Sequence, residues 1–281
     1  MRERKIRMED VQGFARYLCE LEYAPGSREK YLRDIRIFQK WSTQQTVDRE
    51  LTAAWKNHLM DKGCRPETIN SKLSALNRFF SYMGWDELRV RYLRIQRRLF
   101  RNTDRELTRE DYGRLVTAAE KQGKGRLGLL METICATGIR VSEVKYITLE
   151  AVRSGRADIS LKGKIRTILL PGKLCRKLEK YAGKEKIVSG EIFLTRNGKS
   201  LCRRQIWAEM KALCEKAGVA ASKVFPHNLR HLFARTFYRA CRDVARLADM
   251  LGHSSIETTR IYLITTGVEQ VRQLDRLGLI C

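Results

Sequence analysis

The 281-residue sequence predicts a mainly α-helical protein that carries one small antiparallel β-sheet. Apolar residues recur at helical spacing through most of the chain. Two runs typical of strands, 157–161 and 165–170, lie on either side of a glycine and indicate a hairpin. A polar stretch over 102–107 separates an all-helical first part from a mixed second part. We therefore expect a helical domain over 1–101, a linker, and a mixed α/β domain over 108–281.

The first domain is expected to be a bundle of four helices. Their apolar stripes comprise Val11, Phe14, Leu18 and Leu21, then Tyr31, Ile35 and Phe38, and then Ile69, Leu73, Leu76, Phe79 and Phe80. We expect Pro25-Gly26 to end the first helix and Ser27 to cap the second. The third helix is expected over 49–62, and the fourth after Pro66.

The second domain is expected to open with a capped helix. Thr108 and Asp111 have the spacing of a capping box, so we expect a helix over 109–121. The apolar run 192–194 suggests a third strand beside the hairpin. Further helices are expected at 126–137, 203–217, 226–240, 243–251 and 255–264.

The charge of the chain indicates a polyanionic partner. Lys and Arg number 56 against 32 Asp and Glu, which gives a net charge of +24 and a pI near 10. The excess is spread over both predicted domains, so both are expected to touch nucleic acid. The charged N-terminus and the lack of a long apolar run argue against a signal peptide or a membrane span. We expect a cytoplasmic, nucleoid-associated protein.

The segment 88–101 contains six arginines and no acidic residue. An amphipathic helix with a solvated charged face would explain this composition. Because the neighbouring domains are both basic, we favour a segment that lies along the phosphate backbone of a nucleic acid.

The first of three chemically informative segments is ATGIRVSE, residues 136–143. A helix is expected to stop at Gly138, and Arg140 to open the next one. A guanidinium at a helix N-terminus adds to the helix dipole and the free N–H groups there, which suits an anion. A surface Arg140 that pairs with Glu143 is the equally simple alternative.

The second segment is HNLRH, residues 227–231. On a helix, His227, Arg230 and His231 share one face. Two histidines four residues apart suit a metal, but no cysteine or carboxylate completes the set, so we expect none there. The eight cysteines lie far apart without a CxxC pair, so we expect reduced thiols and no metal site among them either. A packed core position is the simpler interpretation of His231.

The third segment is LGHSSIETTRIY, residues 251–262, in which Tyr262 follows His253 by nine positions. Alone, these two residues say little, since most tyrosines are packed. Together, however, the three segments resemble the signature boxes of the tyrosine recombinase (phage integrase) family. The resemblance covers nearly the whole chain and implies a two-domain, Xer-like simple recombinase. Its helical N-terminal domain would form half of a clamp around DNA.

The resemblance implies a role for each matching residue in cutting and rejoining DNA. Arg140 and Arg230 would bind the non-bridging oxygens of one phosphate, with His253 as a third donor. Tyr262 would attack the phosphorus and leave a 3′-phosphotyrosyl bond, which conserves the energy for rejoining without metal, ATP or another cofactor. His227 would assist proton transfer at the tyrosine.

The resemblance also implies a lysine in the hairpin turn that protonates the departing 5′-oxygen. This turn is one residue shorter here than the usual family pattern. Alignment from the preceding strand selects Lys162, whereas counting back from Arg166 selects Lys164, and we favour Lys162. Glu143 is expected to orient Arg140 or His227.

The residues after the tyrosine leave an apolar edge on a short helix, formed by Val268, Val271, Leu274 and Leu277. This helix would fold back on its own domain or, as the resemblance implies, dock on a neighbouring subunit and link four protomers in a ring. We favour exchange, and hence a homotetramer on double-stranded DNA with short inverted-repeat sites.

Three functions compete. A topoisomerase of the same chemistry would nick, swivel and reseal DNA as a monomer, but the apolar C-terminal edge and the short two-domain layout disfavour it. A DNA-binding regulator would have no use for a nucleophile. We therefore favour site-specific recombination, whether integration, excision, inversion or resolution.

The expected groove contacts, for which a solvated face is the alternative, are Arg28, Lys30, Asn70 and Lys72.

Overall fold

A computed structural model gives the fold of the chain. It describes residues 4–43, 45–95, 104–161, 164–253, 255–262, 271–272 and 275–277, with the backbone alone at 161 and 164. The chain divides into two compact units, Met1–Arg97 and Arg98–Cys281. Each unit has its own hydrophobic core. No helix among the described residues is long and apolar enough to cross a membrane.

The first unit contains the four predicted helices. Their bounds are α1 Met8–Glu20, α2 Pro25–Trp41, α3 Arg49–Asp61 and α4 Pro66–Tyr82, followed by a 3-10 turn at Asp86–Leu88. Aromatic side chains fill the centre, where the ring of Phe38 meets those of Trp55 and Phe80. Such pairs bury large apolar areas in favourable edge-to-face geometry, so these rings hold the bundle together.

The start of the second helix differs from the prediction. Ser27 does not cap it, because the helix begins at Pro25 with Ala24 as its N-cap. Proline has no N–H to lose at the first helical position, and its fixed φ already suits a helix. Pro25 therefore opens α2. Leu21, predicted as part of the buried stripe, lies just past the end of α1 and is exposed.

Residues 89–95 of the arginine-rich segment are not helical. Asn77 on α4 accepts a hydrogen bond from the Val90 N–H (2.8 Å) and donates one to the Val90 carbonyl (2.9 Å). Asn70, two turns earlier, makes the same pair of bonds to Leu93. The two amides fix this stretch against α4 while its arginines stay exposed. Residues 96–101 of the segment lie outside the described residues.

The second unit is built mostly from helices around one hairpin. Its α-helices are α5 Arg109–Lys121, α6 Gly125–Thr137, α7 Leu149–Ser154, α8 Gly172–Lys184, α9 Arg203–Lys211, α10 Cys214–Ala217, α11 Pro226–Cys241, α12 Val244–Leu251 and α13 Ile256–Arg260. The strands β1 Arg156–Leu161 and β2 Lys164–Leu169 pair antiparallel, as predicted. Short 3-10 helices cover Val141–Tyr146 and Ala221–Lys223.

Several elements of the second unit depart from the predictions. The run 192–194 is buried at Ile192 and Phe193 but forms no strand; isolated bridges lie at Glu191 and Leu194 instead. The predicted helix 203–217 is interrupted after Lys211 and resumes at Cys214. Helix α8 was not predicted, although its buried residues follow helical spacing.

The predicted capping box of Thr108 and Asp111 is present on α5.

Helix α6 ends where the three informative segments come together. It ends at Gly138, which has φ +66°, the left-handed conformation that glycine adopts without strain. A Cβ at this position would lie 2.4 Å from Cδ1 of Phe233 on α11, so there is no room for a larger residue. The tight turn brings Arg140 next to α11.

Candidate active site

Arg230 is a buried arginine of the second unit, with 2% of its surface exposed. It reaches from α11 to the carbonyl of Gly138 and to that of Leu251, the latter at 2.7 Å. These carbonyls belong to the C-terminal ends of α6 and α12, where oxygens without helical partners carry partial negative charge. The two helix ends therefore hold a buried guanidinium that would otherwise be costly.

Two further arginines donate hydrogen bonds to carbonyls at the C-terminal end of α12. Arg166 donates to the Met250 carbonyl at 3.0 Å, and Arg140 to the Gly252 carbonyl at 3.2 Å. Three successive carbonyls thus accept from three different arginines, which are Arg166, Arg230 and Arg140. Mutual repulsion among like charges is offset by the helix end, so positive charge is concentrated at one place.

Glu143 is fully buried and binds two of these arginines. Its carboxylate accepts from the Arg140 backbone N–H (2.7 Å) and Nη1 (2.9 Å), and from Nη2 of Arg166. Burial alone would raise the pKa of Glu143, but the Arg140 N–H bond and the charges of both arginines hold it below its usual value. Glu143 is therefore ionised. The structure places it on its expected partner Arg140, and on Arg166, which was not anticipated.

His253 lies beside Arg230. Its Nε2 is 3.0 Å from Arg230 Nη2, and its Nδ1 is 2.9 Å from the hydroxyl of Thr259. A guanidinium only donates, so Nε2 accepts and Nδ1 carries the proton. Burial and then the charges of the nearby arginines lower the pKa of His253 to about 4, so the ring is neutral. This arrangement differs from the expected donor role, which requires the proton at Nε2.

Tyr262 is buried, with 4% of its surface exposed. Its ring stacks on His253, with centroids 6.1 Å apart and planes at 12°, and meets His231 edge-to-face at 4.7 Å. His231 in turn meets His227 at 4.4 Å. Burial, followed by the charge of His227, lowers the pKa of His231 to about 3. A neutral His231 therefore lies between His227 and Tyr262, for which the family resemblance implies proton transfer and attack.

His227 faces a cavity of about 780 Å³ that Arg140 and Arg230 also line. The other side of this cavity is formed by the first turns of α9, through Arg203, Arg204 and Trp207. Sequence reasoning missed these three residues. Two adjacent arginines at a helix start, followed one turn later by an exposed tryptophan, were the available signal.

Arg203 is expected to contribute to the lowered pKa of His227. Burial and then the charges of Arg230, Arg203 and Arg140 lower the pKa of His227. Replacing Arg203 with alanine removes one repelling cation, so the pKa of His227 is expected to rise. The chain has four histidines, so an NMR titration resolves each. The matched variant Arg204→Ala should leave the His227 pKa unchanged; an equal shift in both variants would contradict the assignment.

The other predicted site residues belong to the hairpin turn and to the first unit. Lys162 lies outside the described residues, and of Lys164 the backbone is placed at the start of β2, paired with Leu161. In the first unit, Arg28 contacts the Cys19 thiol and Lys30 the Ser71 hydroxyl, while Lys72 is 3.4 Å from Asp34 and Asn70 binds Leu93. Among the described residues, no three His, Cys, Asp or Glu side chains are placed to hold a metal ion.

Comparison with known proteins assigns the family. Residues 105–266 match the model of the phage integrase family, and residues 11–87 match that of the phage integrase N-terminal SAM-like domain. The chain belongs to the phage integrase family. It is a tyrosine site-specific recombinase, an enzyme that cleaves and rejoins DNA strands through a tyrosine.

Relatives of this recombinase match it along most of their length. Tyrosine recombinase XerA of Pyrococcus furiosus is 28% identical over 291 residues, which cover 100% of this chain and 98% of the relative. Tyrosine recombinase XerD of Rhizobium meliloti is also 28% identical, over 84% of this chain and 83% of the relative.

Solved structures share the fold of this recombinase. The XerH site-specific recombinase bound to its difH substrate has a TM-score of 0.68 at 18% identity, covering 95% of this chain and 84% of that one. A lambda integrase dimer bound to a COC′ core site has a TM-score of 0.72 at 17% identity, covering 92% and 78%. Both likenesses support the two-part, mainly helical fold predicted from the sequence.

Proposed function

We propose that this recombinase attacks one DNA phosphate with the Tyr262 hydroxyl and forms a 3′-phosphotyrosyl bond at a specific site. The observation that carries the proposal is the convergence of Arg140, Arg230 and His253 around Tyr262, from segments far apart in sequence. All four belong to one chain, so we propose that each protomer attacks with its own tyrosine. The family supports recombination as the outcome.

The proposed roles of the arginines follow from the charge of the transition state. In-line attack adds negative charge to the non-bridging oxygens, and donors fixed in advance stabilise that charge without reorganising. The Gly252 carbonyl and the Glu143 carboxylate fix Arg140 in this way, and the carbonyls of Gly138 and Leu251 fix Arg230. Glu143 is accordingly proposed to orient Arg140. The step as proposed uses no metal and no cofactor.

Two proton transfers complete the proposed reaction. The proton of the attacking Tyr262 passes to His227 through the neutral ring of His231, which contacts both residues. The lowered pKa of His227 leaves it neutral and able to accept. His253 donates to the phosphate as the other neutral tautomer, in which Nε2 carries the proton and Nδ1 accepts from the Thr259 hydroxyl. As the P–O5′ bond breaks, its electron pair goes to the 5′-oxygen, which takes a proton from the hairpin lysine. We retain Lys162 over Lys164 for this role.

The proposed DNA surface extends from the cavity along α9. Arg203 and Arg204 line the same cavity as Arg140, and Trp207 is 48% exposed with Lys211 over its ring at 5.2 Å. Basic side chains beside an exposed aromatic suit phosphates and unstacked bases. We therefore propose α9 as a contact to DNA beside the cleaved phosphate.

In the first unit, we propose that DNA is bound by the arginines of the 89–95 stretch, with Arg28 and Lys30 as groove contacts. The oxygen and the nitrogen of the Asn70 side-chain amide are both hydrogen-bonded to the backbone of Leu93. We therefore propose that Asn70 acts by holding this stretch, and that Lys72 helps through its ion pair with Asp34. In this proposal, residues 1–101 form the DNA-binding domain and residues 108–281 the catalytic domain.

We further propose that four copies assemble on paired inverted-repeat sites in the cytoplasm, with the C-terminal segment exchanged between neighbours. Val271 and Leu277, two of its four apolar residues, are exposed. The other two, Val268 and Leu274, lie outside the described residues. A lambda integrase tetramer bound to a Holliday junction has the same fold, with a TM-score of 0.72 at 17% identity.

A nicked suicide duplex tests the function. The duplex carries an inverted repeat from the DNA flanking the gene, with a nick that lets the short 5′-hydroxyl strand diffuse away after cleavage. The expected product is a covalent adduct whose DNA is attached to the tryptic peptide 261–272, which contains Tyr262. Mass spectrometry of the digest identifies it. A scrambled duplex is the control.

The other outcomes separate the competing functions. Adducts on every sequence, with relaxation of any supercoiled plasmid, would favour a topoisomerase. Binding to a cognate site without an adduct on any duplex would favour a regulator. Both results contradict the proposed site-specific recombination.

A further inference from the structure

Arg166 is a largely buried arginine of β2 to which neither the sequence motifs nor the proposed reaction gives a role. Its side chain is 15% exposed and binds Glu143 through Nη2 and the Met250 carbonyl through Nη1. Its Nε is buried without a hydrogen-bond partner among the described residues. The guanidinium therefore sits in one orientation, held by two partners on different elements.

The Arg166 side chain passes close to the backbone of Gly252. Gly252 has φ +61°, and a Cβ there would lie 2.5 Å from Cδ of Arg166. The absence of a side chain at 252 makes room for the arginine to pass. Burial lowers the pKa of Arg166, and Glu143 opposes this shift, so the ion pair compensates for the buried charge.

Arg166 connects the lysine-bearing turn to the phosphate-binding arginine. It lies four residues after Lys162 and two after Lys164, and its backbone pairs with Ile159 across the hairpin. Its neighbour Ile165 is 80% exposed, so alternation along the strand sends Arg166 to the side of α12. Through Glu143, the same carboxylate that fixes Arg140, it ties the hairpin to the rest of the site.

We propose that Arg166 is a positioning residue that fixes the lysine turn relative to Arg140, so that the 5′-oxygen is protonated at the phosphate the arginines hold. The proposal rests on the proposed function of the hairpin lysine. A lysine at 166 has one nitrogen and cannot hold a carboxylate and a carbonyl in the forked geometry of a guanidinium. The role therefore requires arginine.

The leaving group distinguishes positioning from a general structural role. In a duplex whose scissile 5′-oxygen is replaced by sulfur, the P–S bond breaks with its electron pair on sulfur. A thiolate is a weak base and leaves without taking a proton, so the hairpin lysine becomes dispensable. We expect Arg166→Gln to slow cleavage of the ordinary duplex by about 10²-fold, within the range of general acid catalysis, and to be largely restored on the sulfur duplex.

Matched variants complete the experiment. Arg156→Gln changes an exposed arginine at the far end of the same hairpin and should cleave both duplexes like wild type. In a Lys162→Ala background, Arg166→Gln should add little further loss on the ordinary duplex, since both act on one step. Thermal unfolding shows whether each variant is folded. If Arg166→Gln does not fold, Arg166→Lys provides a milder substitution.

The contrary results are equally specific. An equal loss on the oxygen and sulfur duplexes would overturn the positioning role, because the defect would then lie in phosphate binding or folding. Unchanged cleavage of the ordinary duplex would overturn it as well. If the wild-type protein forms no adduct on either duplex, the proposed function itself fails, and the inference with it.

Discussion

Replacing Tyr262 with phenylalanine is expected to leave DNA binding intact and to abolish the covalent adduct. The substitution removes one hydroxyl from a ring that is already packed against His253 and His231, so the ring contacts and the fold should persist. Without the hydroxyl there is no nucleophile at this position. Band shifts measure binding, and denaturing gels of the suicide duplex measure the adduct.

The control for this experiment is Tyr238→Phe. Tyr238 also packs against the cluster that contains Tyr262, and its substitution removes the same atom from the same unit. We expect this variant to form adducts at the wild-type rate. An adduct formed by Tyr262→Phe would show that another residue attacks the phosphate, and the proposed chemistry would have to be reassigned.

The segments that form the site could be predicted because their residue types are unusual at their spacing. Arg140, Arg230, His253 and Tyr262 stand in short motifs, and the structure brings all four together. The helices that carry them follow from apolar periodicity. These features are local in sequence.

Arg166 could not be predicted because its partners are distant and partly backbone. Its contacts join β2 to the Glu143 carboxylate and to a carbonyl at the end of α12. Every residue has a carbonyl, so the sequence does not show which one a side chain will reach. The same reason applies to Asn70, whose hydrogen bonds to the backbone of Leu93 were not predicted.

Burial without a strand partner explains the error at 192–194. An apolar run of this length is compatible with a buried strand or with a loop that lies in the core. Ile192 and Phe193 are buried, but the backbone here forms isolated bridges at Glu191 and Leu194 and no strand. Tertiary packing therefore decided the conformation, and that information was not present locally.

Arg230→Lys is expected to cause the second large loss, a fall in the cleavage rate of about 10²- to 10³-fold. Lysine keeps the charge but has one nitrogen, and it cannot bridge the carbonyls of Gly138 and Leu251 while reaching Nε2 of His253. The charge would therefore no longer be fixed where the phosphate oxygens develop theirs. Single-turnover cleavage of the suicide duplex measures this loss.

Stability must be separated from chemistry in this variant, since an unpaired buried carbonyl costs about 1–3 kcal/mol. Arg235→Lys supplies the comparison. Arg235 is a buried arginine on the same helix, bonded to the Leu107 carbonyl at 2.9 Å, away from the cavity of Arg140 and His227. Both variants should lower the melting temperature, but only Arg230→Lys should lose cleavage at temperatures where it is folded. Equal cleavage by the two variants would mean that Arg230 stabilises the fold and takes no part in cleavage. The phosphate would then have to be bound by Arg140 with the arginines of α9.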